Sequence, residues 1–232
     1  MSRTNTKELW LIWQDSKTRL RHIVGKLWIK KGKYYFAYNK DGLKSSAKQG
    51  FQLHPAFPHY RVVYKSENLF PAFAMRLPNK DRPDYIQILK KYDLNPDDSD
   101  FDILTATGGR LATDNYEFVP AFYGCDNYQL NHEFFVAGWR YWEGPTLSEG
   151  ELVPGNRLLI EPEPENEYDK FALQVKTNDG VKIGYIPVFY SKIIYHYIAK
   201  GCNCDLEIVN FDPNKESQEI LKVKLICDGN CK

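Results

Sequence analysis

The sequence predicts an α+β protein with two domains, the first a mixed sheet with helices and the second mostly strands with one main helix. Short β-favouring runs bounded by turn residues recur in both halves, and apolar residues at helical spacing separate some of them. The halves also differ in charge: residues 1–129 hold 20 Lys and Arg against 14 Asp and Glu, and residues 130–232 hold 11 against 16. A chain of 232 residues is long enough to form two separate cores.

In the first half, the run Leu9-Trp10-Leu11-Ile12-Trp13 predicts a buried strand, and two further strands continue it as a meander. The sequence Lys31-Gly32-Lys33 predicts the hairpin turn between those two strands. Helices are expected next, with Asp84 as the cap of the second one. These expectations cover strands at 22–27 and 34–38 and helices at 69–77, 85–92 and 101–104.

In the second half, strands are expected wherever short apolar runs lie between turn residues, and a single helix is expected before Gly201. The strands fall at 134–138, 158–160, 173–175, 183–186, 204–211 and 220–227, and the helix at 190–200. Pro120, Gly124 and Asn127 mark a connecting segment. The predicted organisation is therefore a first domain at 1–123, a linker at 124–131 and a second domain at 132–232.

Composition places the protein in the cytoplasm as a soluble chain. No stretch approaches the roughly 18 apolar residues of a membrane helix, and the polar start lacks the apolar core of a signal peptide. The five cysteines are odd in number, so we expect reduced thiols. Pairing of the last two strands would bring Cys204 near Cys227, which leaves a zinc site built from the C-terminal cysteines open.

Four motifs dominate the second half: Gly-Trp-Arg-Tyr at 138–141, Pro-Gly-Asn-Arg-Leu at 154–158, Glu-Pro-Glu-Asn-Glu-Tyr-Asp at 163–169 and Ile-Gly-Tyr-Ile-Pro at 183–187. Their order and spacing resemble the HIRAN family. The resemblance implies a compact, barrel-like β-domain that contacts DNA. The family's DNA-end-binding members stack a terminal base on an aromatic side chain and hold a free 3′ hydroxyl with an acidic one.

By that resemblance, Arg140 and Tyr141 would face DNA, Tyr168 would stack on a base, Asp169 would accept the hydroxyl proton and Tyr185 would line the pocket. An aromatic face binds any base, which makes this arrangement physically reasonable. A turn in which Tyr168 only packs and Asp169 only caps backbone amides is the alternative. Trp142 is expected in the core or at the rim.

Three departures from the family pattern, Glu167, Phe171 and Val188, make the pocket less positive than the resemblance implies. Three alternating glutamates, Glu161, Glu163 and Glu165, could instead share one face of an extended segment beside Asp169 and hold Mg²⁺ or Mn²⁺. That would make the protein a metal-dependent DNase with three candidate ligands, Glu163, Glu165 and Asp169. A charged edge strand that resists aggregation is the simpler interpretation of the same glutamates.

The first half resembles the N-terminal subdomain of HipA-type toxin kinases. The similar motifs are Val-Gly-Lys-Leu at 24–27, Tyr-Tyr-Phe-Ala-Tyr at 34–38 and Phe-Pro-Ala-Phe-Ala-Met-Arg-Leu-Pro at 70–78. The resemblance implies a domain that docks onto a partner, either a helix-turn-helix antitoxin or a HipA-like kinase. After residue 130 the sequence has no phosphate loop, catalytic loop or metal motif of a kinase.

A basic stretch lies inside this first domain: from Lys17 to Lys48 the sequence has ten Lys and Arg and a single acid, Asp41. Aromatic residues are interleaved with the charges around the predicted hairpin, a combination typical of nucleic-acid surfaces. DNA or an acidic partner is expected at the hairpin lysines, and a solvated basic hairpin is the alternative. Those lysines are Lys30, Lys31 and Lys33.

Together these patterns favour a DNA-binding component of a HipA-like toxin-antitoxin or defence module, with the second domain on single-stranded or 3′ DNA ends and the first on a protein partner. The alternative is a toxin acting as a metal-dependent DNase. A third hypothesis is a pure interaction protein. The sequence leaves open whether the chain is an enzyme at all.

Overall fold

The computed structural model describes residues 7–123, 130–144, 147, 152–216 and 218–227. The chain forms two compact units, Met1–Ala121 and Phe122–Lys232. Each contains an antiparallel sheet and at least one helix, so the predicted α+β class is confirmed.

The first unit is built on a five-stranded antiparallel sheet with the order β4-β3-β2-β1-β5. Its first three strands form the predicted meander, and the hairpin between β2 and β3 has positive φ at both central residues, 49° at Lys31 and 72° at Gly32. This is the turn geometry that matches the twist of the two strands. The strands are β1 (Glu8–Gln14), β2 (Arg21–Lys30), β3 (Lys33–Tyr38), β4 (Tyr64–Ser66) and β5 (Tyr116–Pro120).

One face of this sheet carries the core of the unit. Leu27 of β2, Phe36 of β3 and Phe118 of β5 are at most 2% exposed and belong to one cluster with Phe73. The rings of Phe73 and Phe118 meet edge to face, 4.9 Å apart, which is a preferred aromatic arrangement. Three helices contribute to this core: α1 (Lys40–Ala47), α2 (Pro71–Ala74) and α4 (Asp100–Thr107). Helix α3 (Tyr85–Lys91) packs on α4 in a separate small cluster.

The helices differ from the sequence expectations in three ways. The helix expected over 69–77 is only the short α2, which starts at Pro71. Asp84 makes no side-chain cap on α3, because its carboxylate pairs with Arg82 instead. Helix α1 was not predicted at all; Asn39 caps it by accepting hydrogen bonds from the backbone of Asp41 and Gly42.

The second unit is a six-stranded antiparallel sheet with the order β6-β11-β10-β7-β8-β9 and one long helix, α5 (Val188–Ala199). The sheet curls until its two ends meet, because Ala137, just after β6, pairs with Tyr185 of β9. This confirms the barrel-like shape that the sequence predicts. The strands are β6 (Leu130–Phe135), β7 (Arg157–Pro162), β8 (Leu173–Lys176), β9 (Lys182–Tyr185), β10 (Cys204–Phe211) and β11 (Leu221–Cys227).

The junction between the units differs in detail from the predicted linker at 124–131. Strand β5 precedes it and pairs with β1, although no strand was expected there. Strand β6 begins at Leu130, inside the predicted linker. Phe122 also lies before that linker, yet it is buried against His132 and Tyr190 of the second unit. The rest of the linker, 124–129, lies outside the described residues, and independent folding of the two halves stays a prediction.

The expected reduced thiols are wrong for three of the cysteines, Cys202, Cys204 and Cys227. Cys204 and Cys227 lie directly opposite each other on β10 and β11, and their sulfurs form a disulfide. The predicted strand pairing therefore did bring the two residues together, with their Cα atoms 4.2 Å apart. Cys202 is disulfide-bonded as well. Among the described residues, none of the helices is both long and apolar enough to cross a lipid bilayer.

Candidate nucleic-acid interface

The interface begins at the loop that follows β6, which lies against β9. Ala137 and Tyr185 exchange two backbone hydrogen bonds of 2.8 Å each. The neighbouring Gly184 makes this approach possible, because a Cβ at that position would lie 2.5 Å from the backbone oxygen of Ala137. A short 3₁₀ helix (Trp139–Tyr141) follows and places the 138–141 motif beside Tyr185.

Three aromatic side chains are exposed on this part of the unit. Tyr168 is 77% exposed, Tyr141 is 69% exposed and Trp142 is 39% exposed, whereas Trp139 is buried at 4%. A group of large exposed aromatic rings is a feature of interaction surfaces. The guanidinium of Arg140 lies 4.7 Å from the ring centre of Tyr141, so the predicted Arg and Tyr form one exposed cationic-aromatic unit.

Tyr168 stands on a turn that Asn166 organises. The Asn166 side-chain oxygen accepts hydrogen bonds from the backbone amides of Tyr168 and Asp169, at 3.0 and 3.1 Å. The carboxylate of Asp169 then accepts from the Phe171 amide at 2.9 Å and from the Ser191 hydroxyl of α5 at 2.7 Å. The turn predicted as the alternative is therefore present, and it holds Tyr168 out in solvent. Each oxygen of Asp169 keeps a second lone pair for a further donor.

A second network fixes Tyr185 and centres on Glu163. Its Oε1 accepts from Gln174 Nε2 at 3.0 Å and from Lys182 Nζ at 3.1 Å. Its Oε2 accepts from Asn166 Nδ2 and from the Tyr185 hydroxyl, both at 2.6 Å. Four donors fill the acceptor positions of one carboxylate. Asn166 therefore links this network to the turn that carries Tyr168.

Lys182 adds a cation to the aromatic surface. Its Nζ lies 3.6 Å from the ring centre of Trp142 and 4.3 Å from that of Tyr185. It also donates to the Tyr185 hydroxyl at 2.6 Å. Trp142 and Tyr185 meet edge to face with their centres 5.6 Å apart. The surface is thus a set of mutually supported rings around one ammonium group.

The ionisation of this network follows from its hydrogen bonds. Burial alone would raise the pKa of Glu163, but hydrogen bonds from Tyr185, Asn166 and Lys182 outweigh it, so the pKa lies below its usual value. Burial, together with the hydrogen bond to Glu163, raises the pKa of Tyr185. At neutral pH Glu163 is therefore a carboxylate and Tyr185 a neutral phenol.

The three carboxylates suggested for a metal do not form a common site in the described residues. Strand β7 ends at Pro162, so the glutamates do not alternate along one extended segment. Glu161 pairs with Lys176, Glu163 is saturated by its four donors, and Glu165 is exposed. Within the part of the chain that the structure describes, no group of three or more His, Cys, Asp or Glu side chains could hold a metal ion.

The basic hairpin of the first unit lies at the tip of β2 and β3. Lys30 and Lys31 are exposed, and Lys33 forms an ion pair with Glu67 at 2.6 Å. Behind them, Trp28 and Tyr35 are cross-strand partners whose rings stack 5.5 Å apart. Two of the three predicted lysines, Lys30 and Lys31, therefore project into solvent, and Lys33 is partly neutralised.

Sequence comparison agrees with this geometry. Residues 129–226 match the model of the HIRAN domain, and residues 20–112 match that of the HipA N-terminal domain. The second unit is a HIRAN domain. The first contains a HipA N-terminal domain, and both resemblances found in the sequence are thereby confirmed. No curated protein sequence matches the chain.

Two solved structures are each similar to part of the chain. One is a protein from Lactobacillus plantarum, with 24% identity, a TM-score of 0.37 and coverage of 43% of this chain and 92% of the other. The other is the HIRAN domain of human HLTF, with 14% identity, a TM-score of 0.33 and coverage of 42% and 74%.

Sequence reasoning missed three side chains of the HIRAN surface. Lys182 and Gln174 looked like ordinary strand residues, and Asn166 was quoted in a motif without a role. An Asn three residues before an Asp is a recognisable turn signal. The position of Lys182 over two rings depends on the meeting of β9 with the loop after β6, which no local pattern reports.

Proposed function

We propose that the HIRAN domain of this chain binds single-stranded DNA at its 3′ end, and that the HipA N-terminal domain docks a protein partner of a HipA-like toxin-antitoxin or defence module. The observation that carries the DNA part is Tyr168, which is 77% exposed on a turn fixed by Asn166 beside the carboxylate of Asp169. A rigid, solvent-facing ring next to a fixed acceptor suits the end of a nucleic-acid strand.

Each predicted residue has a physical role in this proposal. The terminal base stacks on Tyr168, an interaction worth about 1 to 3 kcal/mol per base. The 3′ hydroxyl donates to a free lone pair of Asp169, whose other partners hold the carboxylate in place. Arg140 clamps a phosphate in two places while its neighbour Tyr141 offers a second ring. Tyr185 forms the floor, fixed by Glu163.

The first unit contributes in two ways. The exposed Lys30 and Lys31, with Lys33 behind them, add sequence-independent attraction for phosphate. The HipA N-terminal domain supplies the partner-docking function, and the partner is a helix-turn-helix antitoxin or a HipA-like kinase. Co-expression with such a partner should give a complex that survives gel filtration. Comigration of the HIRAN domain alone with that partner would reassign the docking surface.

The test of the DNA proposal is the affinity of the full chain for a single-stranded oligonucleotide, measured by fluorescence anisotropy. Replacing Tyr168 by Ala should weaken binding by about 1 to 3 kcal/mol, because one base loses its stacking partner. The matched control is Tyr123→Ala, a tyrosine of the same unit that is 57% exposed. Its affinity should remain that of the unmodified protein.

The role of Asp169 is tested by the chemistry of the DNA end. A 3′ phosphate places negative charge against the carboxylate, so it should weaken binding sharply. Asp169→Asn removes that charge and should partly restore binding of the phosphorylated oligonucleotide. If Tyr168→Ala and Asp169→Asn are both folded and bind every oligonucleotide as the unmodified protein does, the proposed DNA site is wrong.

A further inference from the structure

A second group of side chains lies beside the Tyr168 turn and has no role in the proposed function. It is centred on the half-buried ring of Phe171, which we call the Phe171 cluster. Two lysines lie over this ring and two aromatic side chains pack around it. Its members and their distances to the ring are Lys170 at 5.0 Å, Lys192 at 5.8 Å, Tyr195 at 5.4 Å and His196 at 5.4 Å.

The cluster is anchored to the same carboxylate that holds the DNA-end turn. The backbone amide of Phe171 donates to one oxygen of Asp169, and the hydroxyl of Ser191 donates to the other. Lys170 and Lys192 are the direct neighbours of these anchors in sequence. Both lysines are therefore placed by hydrogen bonds that also fix Asp169, so the cluster and the turn keep a constant spacing.

The local charge of the cluster is opposite to that of its domain. Residues 130–232 hold more acids than bases, yet the sequence of α5 contains neither Asp nor Glu. Lys192 and His196 are four residues apart on this helix, so they lie on one face, and both are exposed. Lys170 is exposed as well. Lys170 and Lys192 therefore give this face a local charge opposite in sign to the net charge of its domain.

Stabilisation of the helix does not account for the patch. Basic side chains favour the last turn of a helix because of its dipole, and His196 lies there. Lys192 is in the second turn of a twelve-residue helix, and Lys170 is on a loop outside it. What the two lysines share is a position over the Phe171 ring, which restricts where their ammonium groups can go.

We infer that the Phe171 cluster is a phosphate-binding subsite for the DNA strand whose 3′ end lies at Tyr168 and Asp169. The inference rests on the proposed function and extends it: the strand continues from the turn across the cluster, and Lys170 and Lys192 contact its backbone. Such contacts carry no sequence information, so the subsite serves strands of any sequence.

The experiment compares two double variants of the full chain on single-stranded oligonucleotides at several salt concentrations. Lys170→Gln with Lys192→Gln removes two charges at the cluster. Lys90→Gln with Lys91→Gln removes two exposed charges from the first unit and serves as the matched control. The slope of log K against log salt is negative, and each lost phosphate contact reduces its magnitude by about 0.7 for a single strand. The slope of the Lys170→Gln, Lys192→Gln variant should therefore be smaller in magnitude by about 1.4.

The expected loss is measurable. Between about 50 and 200 mM salt, the change in affinity should be about sevenfold smaller for the cluster variant than for the unmodified protein. The effect should appear with an oligonucleotide of about eight nucleotides. It should vanish with a single nucleoside, which carries no phosphate, whereas Tyr168→Ala should weaken both ligands.

The outcomes separate the two proposals. An unchanged salt slope in the cluster variant, while Tyr168→Ala weakens binding, overturns the subsite and leaves the DNA end site standing. A slope that falls equally in the control variant also overturns it, because net charge alone would then explain the effect. Failure of the unmodified chain to bind single-stranded DNA would instead overturn the proposed function, and the subsite with it.

Discussion

The ring of His132 is half-buried among aromatic side chains of the second unit, and the stability of this unit should therefore depend on pH. Its ring stacks on Phe122 at 4.6 Å and meets Tyr190 edge to face at 4.7 Å. Its Nε2 is buried and has no hydrogen-bond partner in the described residues. Burial lowers the pKa of His132 from 6.5 to about 4, and Glu133 offsets this only in part.

The sign of the effect follows from this depressed pKa. His132 takes up a proton near pH 6.5 in the unfolded chain but only near pH 4 in the folded chain. The folded state therefore becomes less stable as the pH decreases from 6.5 to 4. A pKa difference of this size corresponds to about 3 kcal/mol in total, of which about 2 kcal/mol is lost by pH 5. Above pH 7 the contribution is fully present.

The perturbation that tests this is His132→Phe, which keeps a planar ring in the aromatic cluster and removes the titrating group. Denaturant unfolding at pH 7.5, 6.5, 5.5 and 5.0, monitored by the signal of the second unit, gives the free energy of unfolding of both proteins. Between pH 7.5 and pH 5.0 the free energy of unfolding should decrease by about 2 kcal/mol more in the unmodified protein than in the variant. Burial also lowers the pKa of His54, and because both proteins retain it, the difference isolates His132.

The reasoning is refuted if both proteins lose the same stability between pH 7.5 and 5.0. A variant that destabilises the fold at every pH still reports on the slope, because the prediction concerns the change with pH. If His132→Phe does not fold, His132→Leu provides the same comparison with a smaller side chain.

Further expectations concern the basic hairpin, the junction and the nuclease alternative. Replacing Lys30 and Lys31 by Gln should reduce the salt dependence of DNA binding equally for all sequences. Lys33→Gln should reduce it less, because Lys33 already pairs with Glu67. An unchanged salt dependence would assign the hairpin to a protein partner or to solvent. Phe122→Ala should lower the stability of the second unit by roughly 3 to 5 kcal/mol in thermal or denaturant unfolding, since that ring is buried; a change below 1 kcal/mol would contradict its place in that core. Closed circular DNA should stay intact with Mg²⁺ or Mn²⁺, with a chelator as control, because the described acidic residues form no three-ligand group; cleavage by the purified chain would reinstate the nuclease.

The sequence by itself determined most of the sheet of the first unit and the identity of the second. Continuous runs of β-favouring apolar and aromatic residues mark β1 and β3 as strands. The turn at Lys31 and Gly32 is local chemistry, and so is the turn around Asn166. Motif order in the HIRAN domain predicted the exposed Tyr168 as well.

Other features required the folded chain. Helix α1 is short and polar and contains a glycine, so its residues give no strong helical pattern, and it forms because Asn39 caps it and Leu43 packs on the core. The strand β5 is too mixed in sequence to recognise, and its pairing with β1 defines it. The disulfide depends on Cys204 and Cys227 facing each other across two strands.

The same division applies to the candidate site. Glu163 looked like one of several acidic residues on an exposed strand, because the sequence shows its charge but not its neighbours. In the folded unit it accepts from four donors that come from three different segments. The Phe171 cluster likewise joins a loop to the middle of α5. A sequence pattern reports which groups a segment presents, whereas long-range packing decides which of them meet, and that meeting determines the chemistry of the surface.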